Sequence, residues 1–193
     1  MLRANYMERM TLQHRGYGLS TYRERKALHE LGCKSPGNIV EVGTGAGRMT
    51  AFLAAQEKHR VWTLDPHFEG TAIEWGLPRR TIEEAVRVWC ACGVMDWIIP
   101  MVGKSKDVAD FIPSTIGLLF IDGDHTREGV TTDLELFAHR IMPGGIIAMH
   151  DFGKEAIPGR PTWGVKEAWD AWSPGKGFSP VEAVESLAFA YKL

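Results

Sequence analysis

Two stretches of this 193-residue chain carry residue types that can do chemistry at a short spacing. In Phe120-Ile121-Asp122-Gly123-Asp124-His125, two carboxylates and an imidazole follow an apolar run. In Ile146–Met149 followed by His150-Asp151, a second apolar run again ends in an imidazole and a carboxylate. Charged groups delivered to a strand end need a ligand, a metal or water to face. Carboxylates and imidazoles brought together suit a divalent cation, and carboxylates favour Mg²⁺ or Mn²⁺. A histidine titrates near neutrality and can instead take a proton from a hydroxyl. The competing reading is a hydrogen-bonded rim that holds no ion.

A third stretch points to a ligand. Ile39-Val40-Glu41-Val42-Gly43-Thr44-Gly45-Ala46-Gly47 is an apolar run opening into three alternate glycines. Glycine tolerates positive φ and lets a ligand approach the main chain, and the helix start that follows offers N–H groups. The dinucleotide fingerprint G-x-G-x-x-G requires a third glycine where this chain has Arg48. Asp65 ends the next apolar run, Val61–Leu64, where a carboxylate can accept hydrogen bonds from both hydroxyls of a ribose. NAD-dependent enzymes use the same device, so Asp65 speaks for a ribose and not for one cofactor.

The elements that must hold these residues alternate between strand and helix. Strands are predicted at 39–42, 61–64, 98–102, 116–121, 146–149 and 187–191. Helices are predicted at 48–58, 81–92, 106–111, 130–141 and 165–172, and Pro143-Gly144-Gly145 reads as a turn. Pro100 places the third strand at an edge or gives it an irregular end. Continuous apolar strands are buried on both faces, which predicts an α/β fold: a doubly wound, mostly parallel sheet with helices on both faces. Ligands in such folds sit beyond the carboxyl ends of the strands, where the singled-out residues lie. The fourth and fifth strands are expected neighbours, so the 122–125 and 150–151 turns should meet. One domain is expected over 1–193, with a helical cap at 1–35 and a cofactor-binding core at 36–193.

Composition narrows the partners. A net charge of -2 argues against a large nucleic-acid footprint. There is no apolar run of the roughly 20 residues a membrane helix needs, and the N-terminus lacks a signal-peptide core, so a cytoplasmic location is expected. Cys33, Cys90 and Cys92 form neither a disulfide framework nor a zinc pattern and are expected as reduced thiols.

The form E-x-G-x-G-x-G headed by Glu41 resembles motif I of the class I S-adenosylmethionine-dependent methyltransferases. The block FIDGDHTREGVTTDLELFAHRIMPGGIIAMHDF is similar to the branch holding small-molecule and sugar O-methyltransferases and cephalosporin hydroxylase-like proteins. With motif I, the similarity runs from about residue 36 to the end. It implies S-adenosylmethionine as cofactor, with Gly43, Thr44, Gly45 and Gly47 along its methionine and ribose parts and Glu41 placing its amino group. It further implies Asp65 at the ribose, Gly103 and Ser105 near the adenine, and Asp122 at the reacting end. Metal-binding members of the branch imply Asp124, His150 and Asp151 as ligands. His150 stands where an acid is usual, which shifts preference from Mg²⁺ towards softer ions. In catechol-type relatives the first ligand would fall on Asp122 instead, and His125 would occupy the position of the catalytic base.

The reading is methyl transfer to a hydroxyl oxygen, with His125 and Asp122 as catalytic residues. Nucleic-acid amino-methyltransferases carry an N/D-P-P-aromatic tetrapeptide where this chain has Asp122-Gly123-Asp124-His125. Expected partners are a small-molecule acceptor, no nucleic acid, no membrane and, as an open option, a second copy of the chain. Candidate acceptor walls are 67–80, with Phe68, Trp75, Arg79 and Arg80, and 152–163, with Lys154, Arg160 and Trp163. Trp169 and Trp172 could stack on an acceptor or pack in the core, and Tyr6, Met7 and Met10 could cover the site. The alternatives are a non-catalytic S-adenosylmethionine-binding protein and a nicotinamide-dependent oxidoreductase.

Overall fold

The computed structural model describes residues 20–67, 82–154 and 163–193. Five parallel strands form the sheet's body: β1 (Ile39–Val42), β2 (Val61–Asp65), β3 (Ile98–Val102), β4 (Ile116–Ile121) and β5 (Ile141–Met149). Two antiparallel strands, β6 (Glu182–Val184) and β7 (Leu187–Tyr191), complete it on the β5 side. The order β3-β2-β1-β4-β5-β7-β6 reverses direction after β1, as in a doubly wound sheet. This is the predicted α/β class. Ile121 lies opposite Met149 in the parallel β4–β5 register, so the fourth and fifth strands end side by side as expected.

The near-continuous apolar runs are explained by two buried layers. Successive side chains of a strand point to opposite faces. Ile39, Leu118 and Phe120 meet Leu28 and Leu31 of α1 (Tyr22–Lys34), Met49 and Leu53 of α2 (Arg48–Ala54), and Trp89 of α3 (Ile82–Cys92). Val40, Leu119 and Ile147 meet Val108 of α4 (Ser105–Val108), Leu134 and Phe137 of α5 (Arg127–Phe137), and Trp169 of α6 (Val165–Trp172). Trp169 and Trp172 pack with Phe178, at ring separations of 5.5 and 6.0 Å, so both serve the core. The three cysteines are free thiols. No helix among the described residues is long and apolar enough to cross a membrane.

Several boundaries move for local reasons. Helix α2 stops at Ala54, short of the predicted residue 58, and Glu57 adopts φ 50°. Helix α5 starts three residues before the predicted 130, because Thr126 caps it by accepting from the Gly129 N–H at 3.1 Å. Its last turn tightens into a 3₁₀ segment, Ala138–Arg140. Pro143-Gly144-Gly145 is not a free turn but lies inside β5, where the β4–β5 register shifts as at a bulge. Pro100 sits in β3, an edge strand, where its missing N–H is tolerated. Strand β6 carries no clear alternation and is not legible in the sequence. Of the predicted N-terminal cap, the described part is α1, opened by a capping box between Thr21 and Glu24. Tyr6, Met7, Met10, Phe68, Trp75, Arg79, Arg80 and Arg160 lie outside the described residues.

Candidate active site

The carboxyl ends of β1, β2, β4 and β5 bring the singled-out residues to one rim. Gly43, Gly45 and Gly47 all have positive φ, as the glycine spacing predicts. Their N–H groups are spent inside the protein, on Leu64 O at 2.8 Å, Asp65 Oδ2 at 2.9 Å and Thr44 O at 2.8 Å. The glycines are therefore needed for shape. A Cβ on Gly43 would stand 2.2 Å from the Asp122 carbonyl oxygen, and one on Gly47 would stand 2.5 Å from Trp89 Nε1. Close packing of the β1 loop on the β4 exit fixes the rim before any ligand arrives.

Asp65 ends β2 as expected. Its carboxylate also accepts from the His67 N–H at 2.7 Å, so it is held rigidly at the edge of the glycine loop. Gly103 lies beside it, donating its N–H to Asp65 O at 3.1 Å. Ser105 opens α4 and lowers the pKa of the buried Asp133 carboxyl, but burial outweighs it and pushes that pKa up to about 7.

Glu41 is completely buried beneath the loop. Its Oε2 accepts from Thr50 Oγ1 at 2.5 Å and Thr63 Oγ1 at 2.6 Å, and Thr63 Oγ1 in turn meets Thr44 Oγ1 at 2.6 Å. Its Oε1 is buried without a hydrogen-bond partner. Burial raises the Glu41 pKa to about 8, more than the two threonine hydroxyls lower it. Such an unmatched buried polar atom beneath a glycine loop fits a polar group of a bound cofactor.

The β4 and β5 exits meet in a tight cluster. Asp122 Oδ1 lies 3.2 Å from both His125 Nε2 and His150 Nδ1. Asp151 lies 3.3 Å from His125 Nε2 and 3.2 Å from His150 Nδ1. Asp151, with φ 57°, is one of few non-glycine residues in the left-handed region, and it also pairs with Lys154. Asp124 is not brought in. It is exposed, its Oδ1 accepts from the Thr126 N–H at 2.9 Å, and it packs against Gly129 at the start of α5. Of the expected set Asp124, His150 and Asp151, the structure brings together His150 and Asp151, and it adds Asp122 and His125, giving four side chains that could hold a metal ion. The reason is local: a carboxylate two residues before a helix cap turns back to that helix.

The sequence reading missed Glu24. This acid of α1 is buried, and its Oε2 faces His150 Nε2 at 3.5 Å. Its Oε1 accepts from Ser186 N at 2.9 Å and Ser186 Oγ at 2.6 Å. The Thr21-x-x-Glu24 capping box could have marked a helix start, but no local signal says that Glu24 also reaches a residue on β5. Burial opposes a charge on His150, yet Asp122, Asp151 and Glu24 outweigh it and push its pKa up to about 12. Burial likewise opposes charge on Asp122 and Glu24, but His150 and the other partners hold both carboxyls well below the usual range.

Trp163 closes the far side, its ring 4.7 Å from that of His125, with Lys154 Nζ 5.4 Å from the indole centre. Of the expected acceptor walls, Lys154 and Trp163 are therefore at the site.

A family model described as a methyltransferase domain matches residues 40–152, more than half of the chain, and the chain belongs to that family. The fold is shared with solved structures of low sequence identity. Cofactor-bound Rv0187 from MTB is 16% identical, with TM-score 0.72 over 98% of this chain and 89% of its own. The O-methyltransferase TomG from Streptomyces achromogenes, in complex with SAM, is 14% identical, with TM-score 0.66 over 98% and 87%. The O-methyltransferase NovP is 15% identical, with TM-score 0.70 over 98% and 99%.

Proposed function

We propose that this methyltransferase uses S-adenosylmethionine to methylate a hydroxyl oxygen of a small molecule. The observation that carries the reading is the Asp122–His125–His150–Asp151 cluster placed against the glycine loop of a methyltransferase-family chain. The cofactor supplies an electrophilic methyl group on a sulfonium. In-line transfer then needs alignment of the donor and deprotonation of the acceptor. Asp65 would hold the ribose hydroxyls, the glycine loop would border the methionine end, and the unpaired Oε1 of Glu41 would meet its amino group. His125 takes the acceptor proton, with its Nε2 held between Asp122 and Asp151. Trp163 and Lys154 form the acceptor wall, a stacking surface beside a cation, which suits a planar or anionic hydroxyl compound.

The cluster also fits a divalent cation. Ligands about 2.1 Å from one ion stand roughly 3.0–3.4 Å apart, which matches the 3.2–3.3 Å separations among these side chains. The carboxylates that favour a proton on His150 favour a cation as well. Asp122, His125, His150 and Asp151 would hold it, and it would lower the pKa of an acceptor hydroxyl. The two imidazoles suit Mn²⁺ or a softer ion better than Mg²⁺.

Calorimetry with S-adenosylhomocysteine, NAD and NADP tests the cofactor. S-adenosylhomocysteine alone should bind, and Asp65→Ala should weaken it by about 1–3 kcal/mol. Unchanged affinity in that variant, or preference for NAD, would overturn the assignment. Once a screen of phenols, sugars and sugar nucleotides finds an acceptor, His125→Ala should lose roughly 10²–10⁴ in turnover. The loss should shrink as pH rises and the acceptor ionises unaided, while cofactor affinity holds. Full activity of the variant at neutral as well as at alkaline pH would transfer the base role to another group.

A further inference from the structure

Arg25 presents an unusual charge balance. It is 4% exposed, in the first turn of α1, and among the described residues its guanidinium donates to Ser20: Nε to Ser20 Oγ at 3.1 Å and Nη2 to Ser20 O at 2.6 Å. Both acceptors are neutral, and no carboxylate among the described residues forms an ion pair with Arg25. Its neighbour Glu24 is committed elsewhere, to Thr21, Ser186 and His150. Buried charges are normally paired. A second cation makes the imbalance worse. Burial and then the nearby charge of Arg48, the first residue of α2 after Gly47, lower the pKa of Arg25, and the Glu24 carboxylate offsets only part of this. The side chain of Arg48 is largely buried, with Glu84 at 3.9 Å and partly exposed.

The position of these two arginines indicates what would balance them. Glu24 and Arg25 are consecutive, and Glu24 touches His150 at the end of β5. His29, one turn further along α1, meets the Phe52 carbonyl of α2 at 2.9 Å, so Arg25, four residues earlier, lies on the face of α1 turned to α2, whose first residue Arg48 follows the glycine loop. Asp65, the ribose residue, lies on the other side of the loop, at the end of β2. With Asp65 at the ribose and Glu41 Oε1 at the amino group, the amino-acid tail would cross from β2 to β1 on the face that carries α2, since Glu41 is bonded to Thr50 of that helix. That tail ends in a carboxylate.

We propose that Arg25, with Arg48 beside it, is the receptor for the α-carboxylate of S-adenosylmethionine. The proposal rests on the cofactor reading above. It assigns to the N-terminal helix a part in cofactor recognition, outside the glycine loop and the strand ends. It also makes the site selective for cofactors with an intact amino-acid tail. A planar guanidinium suits this task because it meets a carboxylate with two parallel N–H groups.

The test compares S-adenosylmethionine with decarboxylated S-adenosylmethionine by calorimetry, on the wild-type chain and on Arg25→Gln and Arg25→Lys. The two ligands differ only in the carboxylate. Wild type should bind the intact cofactor about 10–100-fold more tightly, the scale of a charge-assisted pair. Arg25→Gln should lose most of that preference while its affinity for the decarboxylated ligand stays within about threefold, which also shows that the variant is folded. Arg25→Lys should keep part of the preference. Equal wild-type affinity for both ligands overturns the proposal without any variant. Equal losses for both ligands in Arg25→Gln overturn it too, by showing a structural role. If wild type binds neither ligand, the cofactor reading fails and this inference fails with it.

Discussion

Asp122 and Asp124 are two residues apart, and the chain gives them opposite tasks. Asp122 Oδ1 touches both histidines, whereas Asp124 is turned out to cap the Thr126 N–H. Mn²⁺ binding should therefore discriminate between them. Electron paramagnetic resonance should show Asp122→Asn losing tight Mn²⁺ and Asp124→Asn binding like wild type; the reverse pattern would restore Asp124 as a ligand. Glu41 yields a second prediction, about pH. Its folded pKa is about 8, against an ordinary value of 4.5. An acid with a raised folded pKa keeps its proton in the native state while the unfolded chain has lost it. Its stabilisation is complete below the unfolded pKa and is lost as pH rises through the folded one, by up to about 1.4 kcal/mol per unit. Urea unfolding at pH 5.5 and 8 should show Glu41→Gln with a flatter pH dependence than wild type. Identical slopes would mean that Glu41 is ionised throughout.

At the scale of the element, the decisive piece is the joint between β1 and α2. Gly47 carries φ 72° and caps α2, and Trp89 of α3 donates its indole N–H to the Gly47 carbonyl at 2.9 Å. One loop residue thus couples the glycine loop to two helices. Gly47→Ala would combine backbone strain with a clash against Trp89, so it should cost about 1–3 kcal/mol in urea unfolding. It should weaken S-adenosylhomocysteine binding as well, since loop and helix move together. A variant as stable as wild type would show that Trp89 can step aside. Helix α5 shows the same economy of position: its early start at Arg127, fixed by Thr126, draws Asp124 away from the cluster.

Across the whole molecule, Glu24 ties parts that are far apart in the chain. From α1 it reaches Ser186, between β6 and β7, and His150, at the end of β5. The N-terminal helix is in this way locked to the C-terminal hairpin and to the cluster. Removing one member of a buried charged network leaves the others unpaired, at a cost of about 3–5 kcal/mol. Glu24→Ala should lower the thermal midpoint strongly, and Glu24→Gln, which keeps the hydrogen bonds to Ser186, should lower it less. Equal midpoints for Glu24→Ala and wild type would remove Glu24 from the framework.

Much of this protein is written locally. Apolar runs specify the parallel strands, because a strand buried on both faces must be apolar throughout. The alternate glycines specify the loop, because only glycine takes positive φ where its Cβ would strike Asp122 or Trp89. Asp65, Asp122, His125, His150 and Asp151 could be singled out because charged residues directly follow those runs. What the sequence could not determine is which of them touch. Asp122 and Asp124 are equivalent as letters, and only the meeting of β4 with β5, together with the start of α5, sends one inward and the other out. Glu24 and Arg25 read as ordinary first-turn residues of an exposed helix. Glu24 gains its partners only when α1 docks across the ends of β5 and β7, and that docking depends on contacts between residues more than a hundred positions apart. Local pattern reports burial and backbone geometry, whereas the pairing of buried charges is settled only when distant segments exclude water together.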